Sequence, residues 1–304
     1  MTELIRPPRK LHLLSKVVLR RFCDGRGLMS TLNPQRPSER MKLKAPGAVC
    51  FTKDLKPKDP FAFEELWKSV EDVVGEALQA VDDGTIFSDE RLTGLLRQCL
   101  ALHFARSLTI LRMASDLAPI MMKNAEERML HDPRLVSLGG LIPAGPEGRE
   151  IMARSSRERI ESQWFRPDLL IPERFMANFQ VALRRVEGHP FEIAVAEDGE
   201  FLIGDAPAQT FDPAKGVGPL GGVPWDQAKT VLMPLGRRHA MGLAPVSKYV
   251  TFDRPGIEFL NGIQIARAEQ RVMWHPDAAL EEFVQVRLSE RSLPEDPDAD
   301  SHPG

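Results

Sequence analysis

Two stretches far apart in the chain place single polar side chains in strongly apolar surroundings. His12 stands beside Leu13-Leu14, and Asp205 follows the run Phe201–Gly204. A histidine titrates near neutral pH and suits a general acid or base. A carboxylate could orient that histidine or bind a cation. We therefore take His12 and Asp205 as candidate catalytic residues.

A third candidate lies in a stretch predicted to be helical. Residues 99–111 are apolar nearly all round such a helix, which indicates burial in the domain core. His103 and Arg106, one turn apart, are then buried or line a cleft. A guanidinium grips phosphate oxygens in a bidentate fork, so Arg106 is the candidate for holding an anionic group, with His103 beside it.

These residues also have a purely structural interpretation. A buried Arg106 needs a carboxylate, and Glu71 or Asp205 could supply one in an ion pair that fixes helix packing. A lone histidine in an apolar helix, such as His103, is more often a satisfied core residue than a ligand. The sequence leaves both interpretations open, with Glu71 either pairing Arg106 or contacting substrate.

Other side chains are candidates for binding a substrate. Arg20 and Arg21 straddle both faces of their element, so one of them should point inward, and Arg20 is included as a candidate. Asn261 begins a helical turn that carries Arg267, which either faces a phosphate or pairs with a nearby glutamate. His239 follows two arginines and either joins a small anion-binding patch or ends a solvated strand.

Several familiar sites are absent from the sequence. Gly216–Gly221 matches G-x-G-x-x-G, but Pro219 lies inside it, and no strand precedes it or helix follows it as a dinucleotide site requires. Phosphate-loop, nucleophile-elbow and zinc-protease motifs do not occur, and the histidines lack metal-site spacing. No cofactor is identified, and a divalent cation is left open.

The composition is that of an ordinary globular protein of 304 residues, 42% hydrophobic and 27% charged. The three cysteines are far apart, which argues against a disulfide framework and fits a reducing, cytoplasmic compartment. No apolar run has the length of a membrane span, and the amino terminus does not resemble a signal peptide. A membrane-surface role for residues 4–21 is the least favoured alternative.

Charge is distributed unevenly along the chain. Residues 1–58 contain fourteen Lys or Arg and four Asp or Glu, whereas the net charge of the whole chain is −3. A basic segment indicates an anionic partner such as nucleic acid or a nucleotide, or docking onto the acidic remainder. We expect a basic segment over 1–58 that packs on a single domain over 59–288, and a disordered acidic tail over 289–304.

Hydrophobic periodicity and turn residues predict the elements. Residues 16–19 fit a helix or a strand. The other predicted elements are helices over 61–81, 88 to about 118, 172–187 and 256–272, a hairpin of 191–195 with 201–203 around Asp198-Gly199, and paired strands at 230–233 and 239–243. The predicted fold is α+β: a helical core over 60–187 on a small, mainly antiparallel sheet. Amino-terminal strands should pair with the late strands, which would bring His12 near Asp205.

Five stretches, in order, carry a resemblance to a family. They are His12 with Leu19–Asp24, Trp67 with Glu71, Ala101–Ser107, Phe201–Pro207, and Pro234-Leu235 followed by Asn261 and Ala266–Ala268. Together they resemble the bacterial domain-of-unknown-function family 4238 over most of residues 11–275. The chain departs from the family pattern at His103, where the family has Gln, at Gly204, where it has Ser, and at Ala206, where it has Asn. The resemblance implies positions and not a reaction.

Three function classes follow. The favoured one is a phosphodiester- or nucleotide-processing enzyme, nuclease-like, that uses His12, Arg106 and Asp205. The second is a binding or regulatory module without chemistry, in which the same residues form a structural polar core. The third is the membrane-surface protein.

Overall fold

A computed structural model describes residues 11–52, 56–57, 60–107, 172–212 and 228–291, with isolated positions at 110, 123–124, 127, 150–151, 154–155, 158 and 169–170. The fold is α+β. Its main helices are α1 (Lys16–Arg20), α2 (Pro60–Asp82), α3 (Glu90–Ala105), α4 (Pro172–Val186), α5 (Arg254–Arg267) and α6 (Glu281–Arg291). None of the described helices is long and apolar enough to cross a membrane.

The segment that the sequence left undecided is the short helix α1. The hydroxyl oxygen of Ser15 accepts a hydrogen bond from the Val17 amide, so Ser15 caps the first turn. Val18, Leu19 and Phe22 are fully buried and fix the helix against the core. A strand over these residues would have sent alternate side chains to opposite faces, whereas a helix buries this set together.

Helices α2, α3 and α4 form the helical layer. Along α2, Trp67, Val70, Val74 and Ala77 are buried at helical spacing and face α3. Asp89 caps α3 by accepting from the amides of Arg91 and Leu92, so the helix begins at Glu90 and not at the predicted residue 88. The helix α3 ends at Ala105, and residues 111–118 of the longer predicted helix lie outside the described residues.

The described strands, numbered along the chain, are β1 (Leu11–His12), β2 (Met29–Leu32), β3 (Lys42–Lys44), β4 (Phe51–Thr52), β5 (Lys56–Pro57), β6 (Leu169–Leu170), β7 (Phe191–Ala196), β8 (Ile203–Gly204), β9 (Gln209–Phe211), β10 (Thr230–Pro234), β11 (His239–Leu243), β12 (Lys248–Phe252) and β13 (Val272–Trp274). Five of them form the larger sheet, in the order β12-β7-β11-β10-β9. The predicted pair β10 and β11 is confirmed.

The predicted hairpin around Asp198-Gly199 is wrong. Strand β7 is hydrogen-bonded to β11 on one edge and runs parallel to β12 on the other, so no edge is left for residues 201–203. The chain turns at Gly199, which has φ of 113°, and continues as β8 into the second sheet. The turn residues were correctly recognised, but the strand that follows them pairs elsewhere.

The second sheet has four strands in the order β3-β2-β13-β8. Strand β13 lies between β2 and β8 and is antiparallel to both. The amino-terminal segment does join a late strand through β2, but that strand is β13 at residues 272–274 and not one of the strands predicted within 191–245. Strand β1, which carries His12, pairs with β4 instead.

Helices α5 and α6 cover one face of the second sheet. Trp274 and Val272 of β13 pack with Ile265 of α5 and with Val284 and Leu288 of α6 in one buried cluster. Helix α5 begins after Asp253, whose carboxylate accepts from the Gly256 amide. It ends at Arg267 and not at the predicted residue 272, because residues 272–274 are needed as the central strand β13.

Candidate functional site

Arg106 lies at the centre of a buried polar cluster between α2, α3 and β1. One guanidinium nitrogen donates to Glu71 Oε1 at 2.6 Å, and another donates to the backbone carbonyl of His12 at 2.6 Å. The guanidinium carbon lies 3.4 Å from the ring centroid of Trp67, a cation–π arrangement. Arg106 follows the last residue of α3, is only 2% exposed, and joins three segments of the chain.

His103, one turn before Arg106, is fully buried and fully hydrogen-bonded. Its Nε2 accepts from the Ser15 amide at 3.1 Å, so Nδ1 must carry the proton that is donated to the Cys99 carbonyl at 2.8 Å. Burial, and then the charge of Arg106, lowers the pKa of His103 to about 3. His103 is therefore neutral at physiological pH and holds the amino end of α1.

His12 joins this cluster through its backbone carbonyl. Its strand residue is paired with Phe51, and its carbonyl accepts from Arg106. The imidazole is half-buried and stands edge-on to the Phe51 ring, with the two centroids 6.2 Å apart. The structure thus brings together four of the predicted residues, His12, Glu71, His103 and Arg106.

Asp205 is engaged in a different place. Its two carboxylate oxygens accept from the amides of Glu269 and Gln270, each at 2.9 Å, and its own amide donates to the Arg271 carbonyl. Burial raises the pKa of Asp205 to about 6 and outweighs these hydrogen bonds, which act in the opposite direction. Among the described contacts, none joins Asp205 to Arg106, and Glu71 is the carboxylate that pairs with the arginine.

Asn261 also binds backbone. From the buried face of α5, its amide oxygen accepts from the Leu202 amide and its nitrogen donates to the Glu200 carbonyl, both at 2.9 Å. One turn on, Gln264 repeats this arrangement with the Gly204 amide and the Pro207 carbonyl. The two amide side chains and Asp205 therefore fasten the extended segment 200–207 to α5 and to the turn that follows it.

The inward-pointing arginine of the amino-terminal pair is Arg21, whereas Arg20 is exposed. Arg21 forms a two-pronged contact with Asp82 at the end of α2, with distances of 2.7 and 2.5 Å, and its Nε donates to the Leu235 carbonyl at 2.6 Å. His239 Nδ1 lies 3.1 Å from the same carboxylate. Burial alone would raise the pKa of Asp82, but Arg21 and His239 hold it below its ordinary value.

This group of three is not apparent as a unit from the sequence. Arg21 and His239 each stand out there, but nothing in the sequence joins them to Asp82. The available signal was the position of an acidic residue in the last turn of α2, where the helix dipole disfavours it unless a cation is close. That signal does not show which cation is close, so it does not predict that Arg21, after α1, and His239, in β11, meet at Asp82.

Within the described residues, two arginines at and after the end of α5, Arg267 and Arg271, have no acidic partner. No ion pair in this part of the chain joins Arg267 to Glu258 or Glu269, and its Nε has no hydrogen-bond partner. Burial lowers the pKa of Arg267 to about 10. Burial also lowers the pKa of Lys44 in β3, and the positive charge of Arg271 lowers it further.

The described residues offer no group of three or more His, Cys, Asp or Glu side chains that could hold a metal ion. The family described as "Protein of unknown function (DUF4238)" matches residues 10–278 of the chain. None of the curated proteins and none of the solved structures with which the chain was compared matches it.

Proposed function

We propose that this chain, which belongs to the domain-of-unknown-function family 4238, is a binding or regulatory module and not an enzyme built on His12, Arg106 and Asp205. One observation carries the proposal: the charged groups of Arg106 and Asp205 already bind the protein itself. Arg106 holds Glu71 and a backbone carbonyl, and Asp205 holds two backbone amides.

A substrate would have to displace these contacts before it could use the same atoms. Removing Arg106 from Glu71 would leave a part-buried carboxylate without its partner, which costs several kcal/mol in buried pairs. Releasing Asp205 would leave two amides of the 268–271 turn unsatisfied. Residues that stabilise the fold in this way support a scaffold role better than a reaction.

The partner class that we propose is nucleic acid or a nucleotide, bound through phosphate groups. The basic amino-terminal segment supports this choice, because Lys and Arg supply most of the affinity for phosphodiester backbones. A reducing bacterial cytoplasm is part of the same proposal and is supported by the three free cysteines Cys23, Cys50 and Cys99.

The proposal is tested with purified protein and its Arg106→Ala variant. We expect wild type to bind nucleic acid without cleaving RNA, DNA or nucleotides, with or without Mg²⁺ or Mn²⁺. We expect the variant to melt at a lower temperature. Turnover by wild type that disappears in a variant with unchanged melting would contradict the proposal.

A second candidate is the phosphodiester-processing enzyme. The observation in its favour is that a pKa of about 6 would let Asp205 exchange a proton near neutral pH. Asp205 also lies near Cys50: burial raises the pKa of the Cys50 thiol most, and the charge of Asp205 raises it further. Cys50 precedes Phe51, which is the strand partner of His12. His12→Ala separates the candidates, because an enzyme of this kind would lose turnover while a binding module would keep its affinity.

A further inference from the structure

Among the described residues 11–52, few of the basic side chains form ion pairs with the rest of the molecule. Residues 11–52 contain eight Lys or Arg and two Asp or Glu. Within the described contacts, only Arg21 forms an ion pair with a carboxylate outside this segment, at Asp82. Arg26, Arg36 and Lys42 pair only within the segment. Docking onto the acidic remainder therefore accounts for one of the eight charges.

Three cations lie on one side of the second sheet, around a row whose central residues, Thr31 and Met273, are buried. Lys42 and Lys44 alternate with Leu43 along β3, so their side chains leave the sheet on the same side. Thr31 pairs with both Lys42 and Met273, which places Met273 on that face, and Arg271 precedes Met273 by two residues. Burial lowers the pKa of Lys44, and the charges of Arg271 and Lys42 lower it further, against a smaller opposite effect of Glu39.

Like charges held near one another raise the free energy of the fold unless each of them has an ion-pair partner. Lys42 has Glu39 as a partner, but no described carboxylate forms an ion pair with Lys44 or Arg271. Lysines on an edge strand can serve simply to prevent edge-to-edge pairing of sheets. That explanation fits the exposed Lys42. It does not account for Arg271, which leads into a central strand, nor for the part-buried Lys44.

We propose that Lys42, Lys44 and Arg271 form a binding site for the phosphodiester backbone of a nucleic acid strand. The inference rests on the proposed function and names its surface. The two lysines, two residues apart on β3, offer point charges to successive phosphates. The guanidinium of Arg271, across the sheet, offers a planar fork. Contacts of this kind bind without regard to sequence and weaken with salt.

The test measures the anisotropy of fluorescent RNA and DNA oligonucleotides titrated with the full chain at several salt concentrations. We expect Lys44→Ala/Arg271→Ala to weaken binding by about tenfold and to lower the slope of log affinity against log salt by roughly 1.4, two phosphate contacts fewer on a single strand. Arg271→Lys, which keeps the charge, should retain most of the affinity.

The matched control is Lys68→Ala/Lys229→Ala, which removes two lysines elsewhere on the molecule. It should change the affinity less than twofold. If the site variant binds like this control, the proposal is overturned. Lys42→Ala/Lys44→Ala, confined to the edge strand, replaces the site variant if that one does not fold.

Parallel titrations with inorganic phosphate, a mononucleotide and vesicles of phosphatidylglycerol and phosphatidylcholine distinguish the sources of phosphate. Binding of oligonucleotides with much weaker binding of the other probes supports the proposal. Binding of vesicles alone, or of none of the probes, overturns it. Neither result bears on catalysis, which the turnover assay of the proposed function decides separately.

Discussion

Arg106 stabilises the fold through three different interactions that converge on one side chain. A charge-assisted hydrogen bond reaches Glu71, a second reaches the His12 carbonyl, and the guanidinium plane covers Trp67. The Trp67 ring in turn lies 4.8 Å from the ring of Phe175 in α4. A single residue thus connects β1, α2 and α3 and indirectly reaches α4.

We therefore expect Arg106→Ala to lower the free energy of unfolding by about 3 kcal/mol. The value lies at the low end for broken buried pairs, because Glu71 keeps 24% of its side-chain exposure and can be partly rehydrated. Arg106→Lys should cost about 1–2 kcal/mol, since an ammonium cannot satisfy both acceptors and stack as well. Urea unfolding of each variant gives these values.

Glu71→Gln provides the control for the pair. If the ion pair carries the effect, the double variant Arg106→Ala/Glu71→Gln should be less destabilised than the two single changes add up to. Additive losses would mean that Arg106 acts through Trp67 and the His12 carbonyl alone.

The low pKa of His103 predicts that this residue contributes less to stability in acid. Its folded pKa of about 3 is below the ordinary value of 6.5, so the unfolded chain binds the proton more readily. The stabilisation is complete above pH 6.5 and is lost as the pH falls towards 3, at up to about 1.4 kcal/mol per pH unit. Because Asp205 changes the stability in the opposite direction over the same range, the test is the difference between the proteins: His103→Gln should gain about 2 kcal/mol between pH 7 and pH 4.5, whereas wild type should change little. Denaturant titrations of both proteins at pH 7 and pH 4.5 test it.

Asp205 acts in the opposite direction. Its folded pKa of about 6 is above the ordinary 3.8, so its contribution is present below pH 3.8 and is lost as the pH rises through 6. Wild-type stability between pH 4 and 6 should therefore change little, because the two groups offset each other. Asp205→Asn should lose about 2 kcal/mol more than wild type between pH 7 and 4.5. Equal losses would contradict the assignment.

At the scale of elements, the close approach of β8 to α5 depends on Gly204. A Cβ atom at this position would lie 2.9 Å from the Gln264 carbonyl oxygen and 3.4 Å from Ala268 Cβ. The amide contacts of Asn261 and Gln264 with segment 200–207 follow from the short distance.

Gly204→Ala should accordingly destabilise the protein by about 1–3 kcal/mol through overpacking. Gly262→Ala on the same helix is the matched control, because a methyl group added there would meet nothing within 4 Å. That change should stabilise the helix by up to about 1 kcal/mol. Thermal melting of the two variants should shift in opposite directions, and a shared direction would refute the packing argument.

Local signals in the sequence predicted elements well and their partners poorly. Helix α2, predicted over 61–81, is observed at Pro60–Asp82, because helix ends depend on nearby residues. Helix α6 was not anticipated, and the Asp198-Gly199 turn was assigned to a hairpin that does not form. Turn chemistry determines where a chain reverses, but which strand it then meets depends on distant residues that compete for the same edge.

The same limit applies to the candidate site. Apolar surroundings correctly marked Arg106 and Asp205 as buried, and Glu71 was a named partner for Arg106. The sequence could not separate a residue that binds substrate from one that binds backbone, because both need a polar group in an apolar setting. Asn261, for example, contacts the backbone of residues 200 and 202, which are distant in the sequence and become its neighbours only in the fold.

For the whole molecule, the contact of Arg21 with Asp82 and His239 joins the helical layer to the five-stranded sheet. We expect Asp82→Asn to lower the free energy of unfolding by about 1 kcal/mol, a modest value because Asp82 is 35% exposed. Arg21→Met should cost more, since it also frees the Leu235 carbonyl. A double-variant cycle measures the coupling, and a coupling near zero would show that the layers do not depend on this contact.

The position of β13 between β2 and β8 has a consequence for the order in which the protein is made. Leu32 of β2 lies opposite Val272 of β13, and β13 follows every strand of the larger sheet in the sequence. The ribosome therefore synthesises the helical layer and the larger sheet before β13 exists. Until then, β2 is paired only with β3, and the lysines of β3 belong to a cationic two-stranded unit. The nascent chain therefore passes through a long interval in which chaperones or the ribosomal RNA itself can meet this segment first.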